Sequence, residues 1–462
     1  MFINNKLAQC KQQRIRSYTH NSDTYSFFNL LTGPELLNTV EALLPEHRER
    51  LFPPTETLSM FLAQALNQDR SCQNVVNDVA VKRHVIGLPP CSTLTGGYCQ
   101  ARQRLPLALI SSLACQTGQL ISRHVPVQWR WQGRPVRLID GTTITLPDTP
   151  QNQLAYPQQK RQKPGLGFPI CRLVGVLCLS SGALLNASIG PYQGKNTSES
   201  CLLRGMLDTF NHGDLVLGDA LFGSYFFLAS LLEKGVDAVF EQMGGRKLLT
   251  DFRKGKRLGT KDHLVTLYEP KKKPDWMALG QYDTAPESLI IRELEVGGKV
   301  LITTILSPKQ ASKKQLKALY KARWHVELDL RNIKTTLGME TLSCKTPQMI
   351  EKEMWVYLLA YNLIRLLMVQ AAKLSDLLPR QISFKHTVQL WLAWRQQSVA
   401  SDLQGGQGHL FVLIAQVTVG NRPGRIEPRA VKRRPKPFPL LMKPREEARN
   451  EIRQNGHPKK IN

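Results

Sequence analysis

The sequence is poor in cysteine and has no recognisable cysteine pattern. Nine cysteines occur in 462 residues, an odd number, and no two are spaced as C-x-x-C. So sparse a set argues against a disulfide framework and indicates reduced, mostly buried thiols, as in a cytoplasmic protein. A zinc site made of His84, Cys91 and Cys99 is conceivable, although this spacing matches none of the common zinc-finger patterns.

Long uninterrupted apolar runs are also scarce. The best candidate for a membrane span runs from Trp355 to Ala372, and Asn362, Arg365 and Gln370 interrupt it. We therefore predict a buried helix there and expect no membrane partner. The stretch 1–18 has no apolar core, so we expect no secretory signal peptide.

Acidic residues are few beside the basic ones. The chain has 36 Asp and Glu against 62 Lys and Arg, a formal net charge of +26. Hydrophobic residues make up 42% of the chain, which excludes a wholly disordered protein. A folded chain with this excess of positive charge indicates a polyanionic partner. Nucleic acid is the first candidate and an anionic membrane surface is the second.

The hydrophobic pattern after the first 125 residues indicates a mixed α/β fold. Over 134–243 it predicts the order strand, strand, strand, helix, strand, helix, strand. Asp140 lies in the middle of the first of these strands, and Asp219 ends the fourth. Basic loops alternate with strand-like runs over 244–308, which indicates a β-rich insertion. A long helix is predicted next, from about Ser312 to Leu337.

Within that predicted helix, four residues have the spacing Tyr-x2-Arg-x3-Glu-x6-Lys. They are Tyr320, Arg323, Glu327 and Lys334, with Trp324 and Arg331 at their edge. On a continuous α-helix the four fall on one stripe about 60° wide. One carboxylate among cations and aromatic rings suits a phosphodiester backbone, and it leaves Glu327 free to hold a divalent metal. The alternative is an ordinary solvated face with an Arg323–Glu327 ion pair.

The order of the strands indicates how the acidic residues could meet. Three antiparallel strands, a helix and then a parallel strand form the layout of an RNase H-like core. In that layout the first and fourth strands are neighbours, so Asp140 and Asp219 can approach each other while the helix carrying Glu327 packs across them. Three carboxylates would supply oxygen ligands for two Mg²⁺ ions roughly 4 Å apart. The alternative for each aspartate is a turn or cap role.

These motifs together resemble the DDE transposases of bacterial insertion sequences, in the family that carries a YREK signature. The signature lies in YKARWHVELDLRNIK, and the two aspartates lie in LIDGTTITLPD and VLGDALFGSYF. The resemblance covers about 134–340. The segments SCQNVV and TGGYCQARQRLP also look like the N-terminal region of that family.

The resemblance implies a role for each matching residue. Asp140, Asp219 and Glu327 would be the catalytic residues and would ligate two Mg²⁺ ions, with Mn²⁺ able to substitute. The residues expected to contact the transposon-end DNA are Tyr320, Arg323, Trp324, Arg331 and Lys334. Trp276, the tryptophan of the insertion, is the candidate for stacking on a base flipped out of the duplex, and simple packing is its alternative role.

The resemblance also implies a fold, a function and partners. We expect an RNase H-like core, 126–243 and 309–375, interrupted by the β-rich insertion 244–308. A helical DNA-binding domain, 1–125, would precede it, and a helical region with a basic, proline-rich tail, 376–462, would follow. The protein would be a bacterial, cytoplasmic, nucleoid-associated transposase. It would cut double-stranded DNA at terminal inverted repeats and join the ends to target DNA as a homodimer. An inactive DNA-binding regulator, or a host nuclease on the same fold, is the alternative.

Overall fold

The computed structural model describes residues 43–44, 51–85, 87–195, 197–247, 250–397, 407–420 and 441–456. Part of the predicted N-terminal domain and part of the basic tail therefore lie outside the described residues. The α-helices of the described residues are α1 (Pro54–Leu66), α2 (Cys72–Val85), α3 (Gly96–Arg104), α4 (Leu107–Arg123), α5 (Pro150–Ala155), α6 (Glu199–Arg204), α7 (Tyr225–Glu233), α8 (Gly244–Lys247), α9 (Leu279–Asp283), α10 (Lys313–Lys321), α11 (His325–Arg331), α12 (Pro347–Leu374), α13 (Phe384–Gln397), α14 (Gln407–Gln416) and α15 (Arg445–Asn455).

One mixed, mostly antiparallel sheet forms the centre of the molecule. Its strands are β1 (Val136–Thr145), β2 (Ile170–Cys178), β3 (Leu184–Pro191), β4 (Leu215–Gly218), β5 (Asp237–Glu241), β6 (Lys256–Gly259), β7 (Asp262–Tyr268), β8 (Ser288–Val296) and β9 (Lys299–Thr303). The spatial order is β3-β2-β1-β4-β5-β9-β8-β7-β6. Strands β1, β2 and β3 are antiparallel neighbours, and β4 is parallel to both β1 and β5. The predicted order of elements is therefore confirmed, with the short helix α5 added between β1 and β2.

The insertion is rich in strands, as predicted, with the short helices α8 and α9 beside them, and it does not form a sheet of its own. Strand β9 pairs antiparallel with β5, through Val239 and Thr303, and with β8 on its other side. The insertion thus extends the edge of the central sheet. The boundaries of the five predicted regions stay predictions.

The central strands are apolar on both faces, as expected for a sheet covered on both sides. Leu138 and Leu217 face the larger core, which is shared with α4, α11 and α12. Ile139 and Val216 face a second core built with α7. Because side chains alternate along a strand, Asp140 follows Leu138 onto the face covered by α11.

Helix α12 is the long apolar segment that raised the question of a membrane span. It begins where the Thr346 side chain accepts a hydrogen bond from the Met349 N–H. It is long and apolar enough to cross a membrane, but 89% of its most apolar stretch is buried inside the protein. Its polar Asn362 is also buried and donates hydrogen bonds of 2.8 Å to the carbonyls of Ala114 and Leu184. The prediction of a buried core helix is confirmed. In the described part of the chain, the other candidate is the pair α3–α4, bent by 71°.

The prediction of one continuous helix from Ser312 to Leu337 is wrong. Helix α10 is followed by a 3-10 turn at Ala322–Trp324, then by α11, then by a π-helical turn at Asn332–Thr336. A 3-10 helix has about 3.0 residues per turn and an α-helix has about 3.6. Over a single turn this difference is too small for the spacing of residues in the sequence to reveal the break. Wide π turns of this kind occur often at functional sites.

One stretch of the basic, proline-rich tail is helical. Residues Arg445–Asn455 form helix α15, with Glu446 and Glu447 in its first turn and Arg453 in its last. This distribution of charge complements the helix dipole, and Arg449 pairs with Glu446 at 2.7 Å.

Candidate active site

The first two acidic residues lie on neighbouring parallel strands, Asp140 in the middle of β1 and Asp219 directly after the end of β4. Strand β1 pairs with β4 so that Val136 is opposite Leu215 and Leu138 is opposite Leu217. The same offset of 79 residues separates Asp140 from Asp219 (219 − 140 = 215 − 136). The ladder ends at the second of these pairs; continued by two residues, its register would set Asp219 opposite Asp140, and the charge of Asp219 contributes to raising the pKa of Asp140.

Asp219 also marks the point where the chain leaves β4. Its backbone is extended, and its side chain accepts a 2.9 Å hydrogen bond from the Leu221 N–H, which caps a 3-10 turn. This is the cap role weighed for it from the sequence. The cap occupies one of its two carboxylate oxygens, so the other remains for a second partner.

Asp140 has a markedly perturbed carboxyl group. Burial raises the pKa of Asp140 to about 6. A 2.8 Å hydrogen bond from the Gly141 N–H and the positive charge of Arg323 oppose this shift, while the negative charges of Asp219 and Glu199 add to it. Burial is thus the main cause of the raised pKa of Asp140, and the nearby carboxylates add to it.

The third acidic residue, Glu327, lies on helix α11. Val326, Leu330 and Ile333 are buried in the larger core and pack the helix onto the sheet. Helix α11 contacts β1, and Glu327 stays half-exposed at its edge.

Arg323 connects the helix to the strand. One guanidinium nitrogen lies 3.1 Å from Oε1 of Glu327, and the other lies 3.9 Å from Oδ2 of Asp140. The ion pair weighed as an alternative role for Arg323 and Glu327 is thus present, but it extends to the strand aspartate. A single guanidinium spans two of the three acidic residues, so Asp140 and Glu327 lie within reach of one cation.

The remaining signature residues also contact strand ends. The Tyr320 hydroxyl donates a 3.3 Å hydrogen bond to Oε2 of Glu241, the last residue of β5. The Lys334 ammonium donates to the Thr142 hydroxyl at 3.1 Å and to the Thr143 carbonyl at 2.9 Å, both on β1. The signature therefore crosses the ends of the strands from β5 to β1.

Comparisons with known proteins agree with this arrangement. Residues 131–363, half of the chain, match the family described as the transposase DDE domain. The chain is also similar to transposase InsG for insertion sequence element IS4 of Escherichia coli K12. Identity to InsG is 28% over 413 residues, which is 86% of this chain and 89% of InsG.

The chain belongs to the IS4 family of DDE transposases. A putative transposase of the same organism, InsZ, is 35% identical over 140 residues, covering 29% of this chain and 45% of InsZ. The DDE domain, residues 131–363, includes all three acidic residues, the insertion and the signature.

The aromatic and basic residues predicted to contact DNA differ in their surroundings. Trp324 is 54% exposed, and Arg331 is exposed beside it. Trp276 is 39% exposed, but the Arg204 guanidinium lies 3.6 Å from its ring centroid, and Phe226 packs edge-on against it at 6.2 Å. Phe226 belongs to the core on the sheet face opposite α11. These contacts favour the packing role for Trp276.

Two carboxylates of the DDE domain that sequence reasoning missed lie near the site. Glu241 accepts from Tyr320 and also pairs with Lys299 at 2.6 Å. Glu199, in the first turn of α6, lies so close to β1 that a Cβ on Gly141 would be 2.4 Å from its Cδ. Burial raises the pKa of Glu199, Arg172 opposes this shift, and the charge of Asp219 adds to it. A glycine inside a strand, directly after Asp140, was the available signal of this close approach.

The residues of the site fit a divalent cation by the chemistry of their donors. Carboxylate oxygens are the ligands that Mg²⁺ and Mn²⁺ prefer. In the part of the chain that the structure describes, no three His, Cys, Asp or Glu side chains are arranged to hold a metal ion. This holds for the conceivable zinc site at His84, Cys91 and Cys99 and equally for Asp140, Asp219 and Glu327. At the strand ends, the Arg323 guanidinium lies between two of the carboxylates.

Proposed function

We propose that the chain cleaves DNA at the terminal inverted repeats of an insertion sequence and joins the freed ends to target DNA. The observation that carries the proposal is that Asp140 and Asp219 lie on the neighbouring parallel strands β1 and β4, with Glu327 linked to Asp140 through Arg323. These contacts support a shared catalytic role for the three acidic residues of the motif. The strand order β3-β2-β1-β4-β5 supports describing the core as RNase H-like.

Asp140, Asp219 and Glu327 are the residues that would hold two Mg²⁺ ions, and Mn²⁺ would substitute. When bound, such ions supply a water or 3′-hydroxyl activated for attack and stabilise the leaving oxygen. The protein's own part is to orient the carboxylates. Asp219 is held by its cap, and Asp140 by the Gly141 N–H. When metal ions and DNA occupy the site, the Arg323 guanidinium would pair with a DNA phosphate instead of with the carboxylates.

Several groups around the acidic residues suit a DNA backbone. Lys334, held at Thr142 and Thr143, places an ammonium on the strand that carries Asp140. Burial raises the pKa of Tyr320, so its hydroxyl stays protonated and can donate a hydrogen bond to a phosphate oxygen. Trp324 and Arg331 add an exposed ring and an exposed cation. The net charge of +26 favours association with DNA as a whole.

The partners follow from the reaction. The substrates are double-stranded DNA with inverted repeats and a target duplex, and we expect two copies of the chain to pair the two ends. We place the protein in the bacterial cytoplasm, at the nucleoid where its substrate lies.

A cleavage assay tests the proposal. The substrate is a duplex carrying the inverted repeats that bracket this reading frame, incubated with Mg²⁺ or Mn²⁺. Asp140→Asn, Asp219→Asn and Glu327→Gln should each abolish strand scission and leave the gel shift with the duplex. Asp208→Asn, which changes a fully exposed carboxylate, is the matched control and should cleave normally. A wild-type gel shift without scission at any metal concentration would instead support an inactive regulator.

A further inference from the structure

Helix α11 carries a second carboxylate on the side facing away from the strand ends. Asp329, two residues after Glu327, is completely buried. Both of its oxygens accept hydrogen bonds from guanidinium groups. Arg365 donates to Oδ1, and Arg380 donates to Oδ1 at 3.1 Å and to Oδ2 at 2.8 Å. We call these three residues the Asp329 cluster.

Each arginine of the Asp329 cluster is itself fixed to the β2–β3 hairpin. Arg365, on α12, donates to the Tyr361 hydroxyl at 2.9 Å, and this hydroxyl donates to the Gly182 carbonyl at 2.7 Å. Arg380 donates to the carbonyls of Leu179 and Cys178 at the end of β2.

The turn at Gly182 leaves no space for a larger residue. Gly182 has a φ of 74°, and a Cβ there would lie 2.7 Å from the Arg365 guanidinium carbon. The cluster therefore joins α11 to α12 and to the hairpin as one rigid contact.

The geometry of a helix converts this contact into a position for Glu327. Residues two apart on an α-helix point about 200° away from each other. Because Asp329 is held against Arg365 and Arg380, Glu327 lies on the opposite side of the helix, toward Asp140. Helix α11 has only seven residues and lies between a 3-10 turn and a π turn, so its rotation depends on its side-chain contacts, which are the packing of Val326 and Leu330 and the Asp329 cluster.

We propose that Asp329, Arg365 and Arg380 are positioning residues that set the rotation of α11 and thereby place Glu327 at the strand ends. The inference rests on the proposed function, because it takes Glu327 as a catalytic residue. Arg365 and Arg380 lie beyond residues 131–363, so the segment after the DDE domain completes the support of its catalytic helix.

The composition of the cluster favours positioning over bulk stability. A buried ion pair commonly contributes no more stability than apolar side chains of the same volume, whereas its hydrogen bonds require one geometry. Here two buried cations converge on one carboxylate from two segments far apart in the chain.

The test compares two asparagine variants. Asp329→Asn weakens the cluster, and Asp262→Asn weakens a similarly buried pair in the insertion, where Arg292 donates to both Asp262 oxygens at 2.8 and 2.6 Å. Hydrogen exchange measured by mass spectrometry should be about tenfold faster over residues 325–336 in Asp329→Asn only. Faster exchange there in the control as well, or in neither variant, would overturn the proposal.

Metal binding gives a second readout. In a complex with an uncleavable duplex, Asp329→Asn should weaken Mn²⁺ binding, followed by electron paramagnetic resonance, by about 10- to 100-fold, without changing the affinity for the duplex. Asp262→Asn should bind Mn²⁺ as the wild type does. Unchanged Mn²⁺ binding in Asp329→Asn would contradict the proposal.

Substitutions of Arg380 provide a further test of the same proposal. If Asp329→Asn does not fold, Arg380→Lys and Arg380→Gln replace it. Lysine keeps the charge and should retain more of the Mn²⁺ affinity than glutamine does, and equal affinities would contradict positioning by Arg380. If the wild type does not cleave DNA, the proposed function fails, while hydrogen exchange still decides whether the cluster holds α11.

Discussion

The two sides of helix α11 carry ion clusters of opposite character. On the outer side, Arg323 spans Glu327 and Asp140 at 3.1 and 3.9 Å, and all three side chains are partly exposed. On the inner side, Asp329 is fully buried, and two arginines occupy both of its oxygens. The outer contact can be exchanged for a substrate at low cost because water screens it, whereas the inner one cannot. A short helix can thus hold one face rigid while its other face stays available for chemistry.

The largest expected effect is on the outer side and concerns activity alone. Glu327→Gln should lower cleavage by about 1,000-fold or more, equivalent to at least ~4 kcal/mol of transition-state stabilisation, because a metal ligand is lost. The melting temperature should stay close to that of the wild type. Rates from single-turnover cleavage and a thermal melt measure the two quantities. Near-normal cleavage would remove Glu327 from the site.

On the inner side, the largest effect should be on stability. Asp329→Ala leaves two buried guanidinium groups without their carboxylate and should lower the free energy of unfolding by about 3 kcal/mol. Chemical denaturation of the purified chain measures this loss. A loss as small as that of an exposed ion pair would mean that the two sides of α11 do not differ.

A third change separates packing at β1 from the charges of α11. Gly141→Ala places a methyl group against Glu199 and should cost about 1 kcal/mol of stability, with slower cleavage because Asp140 adjoins it. The double variant Gly141→Ala with Glu199→Ala removes the clash and should recover the stability. Denaturation curves of the single and double variants test this, and independent, additive losses would argue against the contact.

The smallest change in stability should follow removal of the outer cation. Arg323→Gln should shift the free energy of unfolding by less than about 1 kcal/mol, since its ion pairs are partly exposed. Affinity for the inverted-repeat duplex should fall, because a phosphate contact is lost. Fluorescence anisotropy at two salt concentrations measures it. A stability loss as large as that of Asp329→Ala would erase the contrast between the two sides.

Much of the DDE domain was predictable from local pattern. Alternating and continuous apolar runs gave β1 to β5 in their order, and the interrupted apolar segment around Asn362 gave the buried helix α12. The candidate residues Asp140, Asp219 and Glu327 were predictable as well, because each lies in a motif with recognisable spacing. Their roles stay predictions; the β1–β4 register agrees with the expected approach of the two aspartates.

Other features depended on contacts between distant segments. The 3-10 and π turns on either side of α11, the pairing of β9 with β5, and the contact of Glu199 with Gly141 have no local signature beyond one glycine. The packing of Arg204 on Trp276 likewise joins residues 72 positions apart (276 − 204).

The sequence by itself determined the kinds of elements, their order and the identity of the acidic residues, because periodicity and motif spacing act over a few turns of chain. Only the tertiary structure decided which charges share a buried environment. Asp329 and Glu327 are two acidic residues of one short helix; the signature spacing singles out Glu327, but no local pattern predicts that Asp329 is buried between two arginines. Burial beside Arg365 and Arg380 fixes Asp329 in place, while Glu327 stays half-exposed and paired with Arg323.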